Sequence, residues 1–239
     1  LHAGAVGSDG LFLKEILADA GADVSCLRMM DTESGCAFIE VNSKGQNRII
    51  VSAGTNRMYT EEYIKNVLEK AEAGDFVLLQ NEINMVGEII RLSHEKGCRV
   101  VFNASPIPGK PEELPLELVD IFMVNELEAA ALAGTSAEGD FRDILKALQK
   151  KYPKAAIVMT LGKDGVLYGY KEEFYSHPIF KVNAVDTTAA GDTFCGYFLA
   201  ALCAGKSVEM ALREASAASA MAVSAKGAAP SIPVHSAME

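Results

Sequence analysis

The 239-residue sequence lacks paired cysteines, an excess of basic residues and any long apolar run, and each lack closes off a class of protein. Five cysteines, an odd number with no Cys-x-x-Cys spacing, do not make a disulfide framework or a zinc site. The four histidines are scattered, which also disfavours zinc, and the thiols read as reduced, as in the cytoplasm. Lysine and arginine number 22 against 32 acidic residues, a net charge of -10. Nucleic-acid and anionic-membrane surfaces need clustered basic residues, so neither partner is expected and any phosphate site must be built locally. No apolar run reaches about 18 residues, which excludes a membrane-spanning helix. The opening residues are not a basic-then-apolar signal peptide. Leu1 leads at once into Ala3-Gly4-Ala5-Val6-Gly7, which reads as a strand entered midway, so a missing N-terminal part is expected. Tryptophan is absent too, and that excludes nothing.

What is present suits one α/β domain, 1–239. A composition of 49% hydrophobic and 23% charged residues is that of a globular chain able to bury one sizeable core. Strand-like and helix-like segments alternate, as in a parallel sheet wrapped by helices. Residues 10–20 predict a helix with Leu13, Ile16 and Leu17 on one face and Gly21 as its stop, and residues 24–27 a strand. Residues 36–41 and 48–51 flank a polar turn containing Gly45 and predict an antiparallel hairpin. Thr60 caps a helix that Gly74 ends, with Tyr63, Val67, Leu68 and Ala71 on one face. Residues 76–79 predict a short buried strand, followed by a helix face of Val86, Ile89, Ile90 and Ser93. Further strands are predicted at 99–102, 121–124 and 155–160, then a 166–170 and 174–177 pair, and helices at 189–204 and 208–225. Three strands end in polar clusters, Gln80-Asn81-Glu82, Asn103-Ala104-Ser105-Pro106 and Asn125-Glu126-Leu127-Glu128. Open α/β sheets bind ligands at such ends.

The strongest segment is Val185-Asp186-Thr187-Thr188-Ala189-Ala190-Gly191-Asp192-Thr193-Phe194. Small residues where a helix begins leave backbone N–H groups open at its positive end, so an anion can sit there. Taken alone the same residues could simply cap a helix. The segment resembles the C-terminal signature of the PfkB family of carbohydrate kinases, commonly D-T-x-x-A-G-D-x-F. The resemblance covers nearly the whole chain, from Gly4 to Pro233.

That resemblance implies a three-layer α/β/α ribokinase-like fold, a mostly parallel sheet flanked by helices, with residues 36–53 as part of a β lid over the sugar. It implies ATP-dependent phosphoryl transfer to a sugar primary hydroxyl. Asp192 would be the catalytic base, and Ala189, Ala190 and Gly191 the anion hole for the transferred phosphate. Asn125-Glu126-Leu127-Glu128 resembles the N-x-x-E motif, in which Asn125 would face the nucleotide and Glu128 would hold magnesium through water. The hard oxygens of that motif suit magnesium. Thr160-Leu161-Gly162-Lys163-Asp164-Gly165 resembles the turn over the nucleotide, to which Thr160, Gly162, Lys163, Gly165 and Ser216 are assigned. Glu82 would bind the sugar. A potassium ion, activating, would be held by Asp186, Thr188, Ala222, Ala225, Gly227 and Ser231, mostly through carbonyl oxygens.

Ribose is the acceptor that the resemblance favours, because the hairpin, the Ala53-Gly54-Thr55-Asn56 stretch and the C-terminal loop all look like those of the family's ribokinases. Fructokinase, 2-keto-3-deoxygluconate kinase and adenosine kinase activities stay open, as does a catalytically silent sugar- or nucleotide-binding fragment. Family members often dimerise through the lid, so the implied partners are sugar, ATP and a second copy. A nicotinamide dehydrogenase is disfavoured because Gly4, Gly7 and Gly10 give G-x-x-G-x-x-G rather than G-x-G-x-x-G. The sequence departs from the family at Phe12, where Gly is frequent, and at Ala104, where Asn-Pro is. The family's opening strands, its Gly-Gly hinge, the other lid strands and a sugar-binding Asp have no counterpart in it.

Overall fold

The structure, a computed structural model, describes residues 1–41 and 47–237. The tip of the expected hairpin turn, 42–46, lies outside them. The chain divides into two compact units, residues 1–100 with 108–118, and residues 101–107 with 119–239.

In the first unit β1 (Ala3–Val6) leads into α1 (Leu11–Asp19), and β2 (Cys26–Met29) returns parallel to β1, pairing Ala3 with Cys26. The strand expected at 24–27 is therefore shifted two residues along. Helix α1 forms where its spacing predicts it, yet none of its nine residues is buried, and Leu13 and Ile16 are exposed. An apolar stripe encodes a helix but does not by itself supply a neighbour to cover it.

Next come β3 (Cys36–Val41) and β4 (Asn47–Ser52), an antiparallel pair that forms a two-stranded sheet with Phe38 opposite Ile50. Helix α2 (Glu61–Leu68) starts at Thr60, whose side chain accepts from the Tyr63 N–H at 3.3 Å. It stops six residues before Gly74 and buries Ile64 in addition to Tyr63 and Leu68, because all three lie on one face at helical spacing. In β5 (Phe76–Gln80) only Leu79 is buried, while Leu78 is exposed. Successive side chains of a strand point to opposite faces, so the short buried strand expected there forms but is buried at one position only. Helix α3 (Val86–Glu95) buries Val86, Ile89, Ile90 and Ser93, the face the spacing predicts.

Strand β6 (Arg99–Asn103) carries the chain into the second unit. There β7 (Ile121–Asn125), α4 (Glu126–Ala133), α5 (Phe141–Lys151), β8 (Ala156–Thr160), β9 (Val166–Tyr170), β10 (Glu173–His177), α6 (Ala190–Cys203) and α7 (Val208–Val223) follow in order. The sheet runs β10-β9-β8-β7-β6, parallel from β6 to β8 and antiparallel from β8 to β10. This is the ribokinase-like α/β fold, a mostly parallel sheet with helices, and small antiparallel sheets are present. Phe102, Phe122, Ile157, Val158 and Met159 are wholly buried. Phe122 meets Phe102 edge-on at 6.5 Å and Tyr152 at 4.9 Å. Helix α5 begins at Asp140, whose carboxylate accepts from the Arg142 N–H, and was not among the elements expected.

Candidate active site

Strands β7 and β8 end side by side, with Asn125 the register partner of Thr160. The Thr160 hydroxyl donates to the Val124 carbonyl at 3.4 Å, which ties the two ends together. Asn125 is also the N-cap of α4. Its Oδ1 accepts from the Glu128 N–H at 2.8 Å, and Glu128 Oε2 accepts from the Asn125 N–H at 2.9 Å. This reciprocal pair satisfies two orphan donors of the helix start and holds both side chains in place. Glu128 is buried and Asn125 half-buried. Their oxygens are hard donors, so the pair fits a cation that keeps most of its own waters. No cluster of three His, Cys, Asp or Glu stands ready to ligate a metal directly among the described residues.

After Thr160 the chain turns through Gly162–Asp164. Gly162 has φ of +52° and open space where a Cβ would stand. Gly165 is needed sterically, since at φ of +93° a Cβ there would lie 2.2 Å from the His177 carbonyl oxygen. Lys163 is exposed. The turn therefore presents bare backbone and one cation beside the ends of β7 and β8.

Helix α6 comes to the same sheet. One and a half turns into it, Cys195 Sγ lies 3.1 Å from Met123 Sδ, two residues before the end of β7. Burial, reinforced by the Asp192 charge, pushes the Cys195 thiol up to about 12, so it serves packing and not chemistry. Ala189, which precedes the helix, is left-handed with φ of +60°. An alanine there is strained, and such strain persists where the surroundings over-determine it. Ser219 of α7 donates to the Ala190 carbonyl at 3.0 Å, and the Thr193 N–H donates to the Ala189 carbonyl at 2.9 Å. A Cβ on Gly191 would meet nothing within 4 Å, so packing does not require that glycine. What it leaves is an open approach to the first turn of α6, whose leading amides have no partner within the helix. Asp192 is exposed in that turn. Thr193 beside it is buried, and its hydroxyl has no hydrogen-bond partner among the described residues.

The loop before α6 is locked to the end of α7. The N–H groups of Val185 and Asp186 donate to the Val223 carbonyl at 2.7 and 3.2 Å. Asp186 Oδ1 accepts from the Thr188 hydroxyl at 2.6 Å and its N–H at 3.0 Å, and Oδ2 accepts from the Gly227 N–H at 3.0 Å. The Thr188 hydroxyl and then these N–H groups hold the Asp186 carboxyl down at about 2. Ala222 is buried, and its carbonyl accepts from the Ala225 N–H at 3.2 Å. Ser231, also buried, turns its N–H and hydroxyl onto the Ala228 carbonyl. Asp186 and Thr188 are thus tied to the end of α7 and to Gly227, and the carboxylate, hydroxyl and carbonyl oxygens gathered there are of the kind that fits a monovalent cation.

Of the residues that the sequence pointed to, the second unit sets Asn125 against Glu128 and Thr160, and Asp186 against Thr188 and Gly227. Ser216 is half-buried on α7. Glu82 belongs to the first unit, exposed in the turn after β5. Sequence reasoning missed Ser219, Ala189's strain and the Cys195 contact. None has a local signature: the Ser219 and Cys195 contacts reach residues 29 and 72 positions away, and the positive φ falls on an alanine rather than a glycine.

The sequence profile of the pfkB family carbohydrate kinases matches residues 2–235. The ribokinase of Haemophilus influenzae is 34% identical over 237 residues, 96% of this chain and 77% of that protein. The crystal structure of a Thermotoga maritima ribokinase superposes with a TM-score of 0.81 at 34% identity, covering 98% of this chain and 78% of that one. An Arabidopsis thaliana ribokinase, solved with ribose and ATP, gives 0.82 at 31% identity, covering 97% and 78%. The chain belongs to the PfkB family of carbohydrate kinases. It is a sugar kinase, a phosphotransferase whose acceptor is an alcohol group. Among the described residues no helix is long and apolar enough to cross a membrane.

Proposed function

We propose that the protein transfers the γ-phosphate of ATP to the primary hydroxyl of D-ribose, giving ribose 5-phosphate. The observation that carries this reading is the start of α6, where a strained Ala189, an open Gly191 and an exposed Asp192 follow one another. Phosphoryl transfer asks a protein for positioning and for stabilisation of charge, with little covalent help. The Ala189, Ala190 and Gly191 backbone would receive the developing negative charge, and Asp192 would accept the hydroxyl proton. General-base help of this kind is worth about 10²- to 10⁴-fold.

Asn125, Thr160, Gly162, Lys163, Gly165 and Ser216 are the proposed nucleotide contacts, and Glu82 the sugar contact of the first unit. Glu128, with Asn125, would hold magnesium through water, and magnesium when bound would neutralise phosphate charge. Asp186, Thr188, Ala222, Ala225, Gly227 and Ser231 would hold an activating potassium ion. The chain acts as one ribokinase-like domain, with 36–53 as a partial lid, in the cytoplasm and as a homodimer. Ribose is supported by the ribokinase relatives, including the one solved with ribose and ATP.

An ADP-release assay across ribose, fructose, 2-keto-3-deoxygluconate and adenosine tests the assignment. Ribose should give the highest kcat/KM. A higher value for any other acceptor reassigns the substrate, and ribose binding without ADP release makes the chain a silent binder.

A further inference from the structure

The first unit contains a polar knot that the phosphoryl-transfer site does not use. Three stretches meet in it: the turn after β1, the residues entering β3 and the residues leaving β4. Ser34, two residues before β3, is buried. Its hydroxyl accepts from the Gly7 N–H at 2.9 Å and donates to Asp9 Oδ1 at 2.8 Å, and its own N–H donates to Asp9 Oδ1 and Oδ2 at 3.0 and 3.2 Å. Thr55, three residues after β4, is wholly buried. Its hydroxyl donates to the Ala5 carbonyl at 2.7 Å, and its N–H to the Glu33 carbonyl at 3.1 Å.

Glycines make this approach feasible. A Cβ on Gly7 would stand 1.9 Å from the Thr32 carbonyl oxygen, on Gly10 2.3 Å from Ser34 Oγ, on Gly35 2.6 Å from Asn56 Nδ2 and on Gly54 2.5 Å from the Glu33 carbonyl oxygen. Both roots of the hairpin are thereby pinned to the end of β1 at backbone contact. Beyond the roots, β3 and β4 form a sheet of two strands, with Phe38, Ile39, Ile50 and Val51 exposed. Among the described residues these hairpin side chains face solvent, and the knot is what holds the roots in place. Asp9 is central to the knot, since its carboxylate accepts both donors of Ser34, first the backbone N–H and then the hydroxyl, and these hold it below the usual carboxylate range.

We propose that Asp9 is a positioning residue, fixing the direction in which the β3–β4 hairpin leaves the first unit and, through the hairpin, the affinity for the acceptor sugar. The second half of this proposal rests on the reading of 36–53 as part of a sugar lid. Asp9→Ala leaves the buried Ser34 N–H and hydroxyl without an acceptor, whereas Asp9→Asn keeps Oδ1 as an acceptor for both.

The test compares wild type, Asp9→Ala, Asp9→Asn and Ser34→Ala by amide hydrogen exchange and by steady-state kinetics with ribose and ATP. In Asp9→Ala, exchange at 36–41 and 47–52 should quicken roughly tenfold and KM for the sugar should rise by a similar factor. KM for ATP and kcat should stay near wild type, and Asp9→Asn should recover most of both losses. Should Asp9→Ala not fold, Ser34→Ala, which removes only the hydroxyl, must show the same split at smaller size. Unchanged hairpin exchange overturns the proposal, as does quicker exchange with an unaltered sugar KM in an active enzyme. A wild type that phosphorylates no sugar refutes the kinase reading instead, and hairpin exchange then decides the role of Asp9 by itself.

Discussion

The sheet of the second unit and the hairpin of the first are both built from strands rich in β-branched and aromatic residues, yet they spend those residues differently. In the sheet, Phe102, Phe122, Ile157 and Met159 are withdrawn completely from solvent. In the hairpin, Phe38 is 62% exposed and Val51 63%. Helix α1 makes the same contrast with α3: both have an apolar face, and only that of α3 is covered. Buried strands lie beneath the residues proposed to handle phosphate, although Lys163, Gly191 and Asp192 are themselves exposed, and the residues proposed to cover the sugar stand on exposed strands. That division suits a kinase, which must hold its charge-stabilising groups still while substrate enters and leaves.

The contrast can be broken at several points. The largest effect is expected at Asp192. Asp192→Asn should lower kcat by about 10²- to 10⁴-fold while the thermal melt stays where it was. Wild-type turnover in that variant would remove the base from the second unit and the argument with it. Next in size is Phe122→Ala, which opens a cavity between Phe102 and Tyr152 and should cost about 3–5 kcal/mol in denaturant unfolding.

Asp186→Asn sharpens the comparison within the second unit. The Asp186 carboxyl has a lower pKa folded, about 2, than its ordinary 3.8, so its stabilising contribution is complete above pH 3.8 and drains as pH falls from there toward about 2. The acid-unfolding profile of Asp186→Asn should lack that component, and the ratio of rates in potassium and sodium should fall toward one. A variant that keeps the wild-type potassium response would detach Asp186 from the cation site. The smallest effect belongs to the hairpin: Phe38→Ala should change stability by no more than about 0.5 kcal/mol, because the ring is already in water. A loss like that of Phe122→Ala would mean that the hairpin face is covered in solution.

Much of this was legible in advance, for a definable reason. Helices α2, α3, α6 and α7 and the β3–β4, β8–β9–β10 and β7 strands announce themselves through spacing, caps and turn residues, all of which act over a few positions. The Asp186 to Phe194 segment could be read as a helix start because its small residues and acids stand where a helix needs them. Less was legible where burial matters. Leu78 and Leu79 look alike in sequence, and only strand alternation separates them. Leu13 and Ile16 carry the right spacing for a covered face and are exposed among the described residues. The capping box of Asn125 and Glu128 was visible as a strand end running into a helix, but the exchange of two hydrogen bonds between them required coordinates.

Local pattern alone was enough for most of the strands and helices, though not for α5, and for the start of α6 with an acid in its first turn, because these are decided by neighbours within one or two turns of the chain. Only the tertiary structure decided that Asp186 is held by an amide 41 residues away, that Cys195 rests on Met123 72 residues before it, and that Asp9 closes on Ser34 across 25. Such contacts depend on how whole elements pack, and local periodicity carries the direction of a side chain along its own element without saying what will be waiting there.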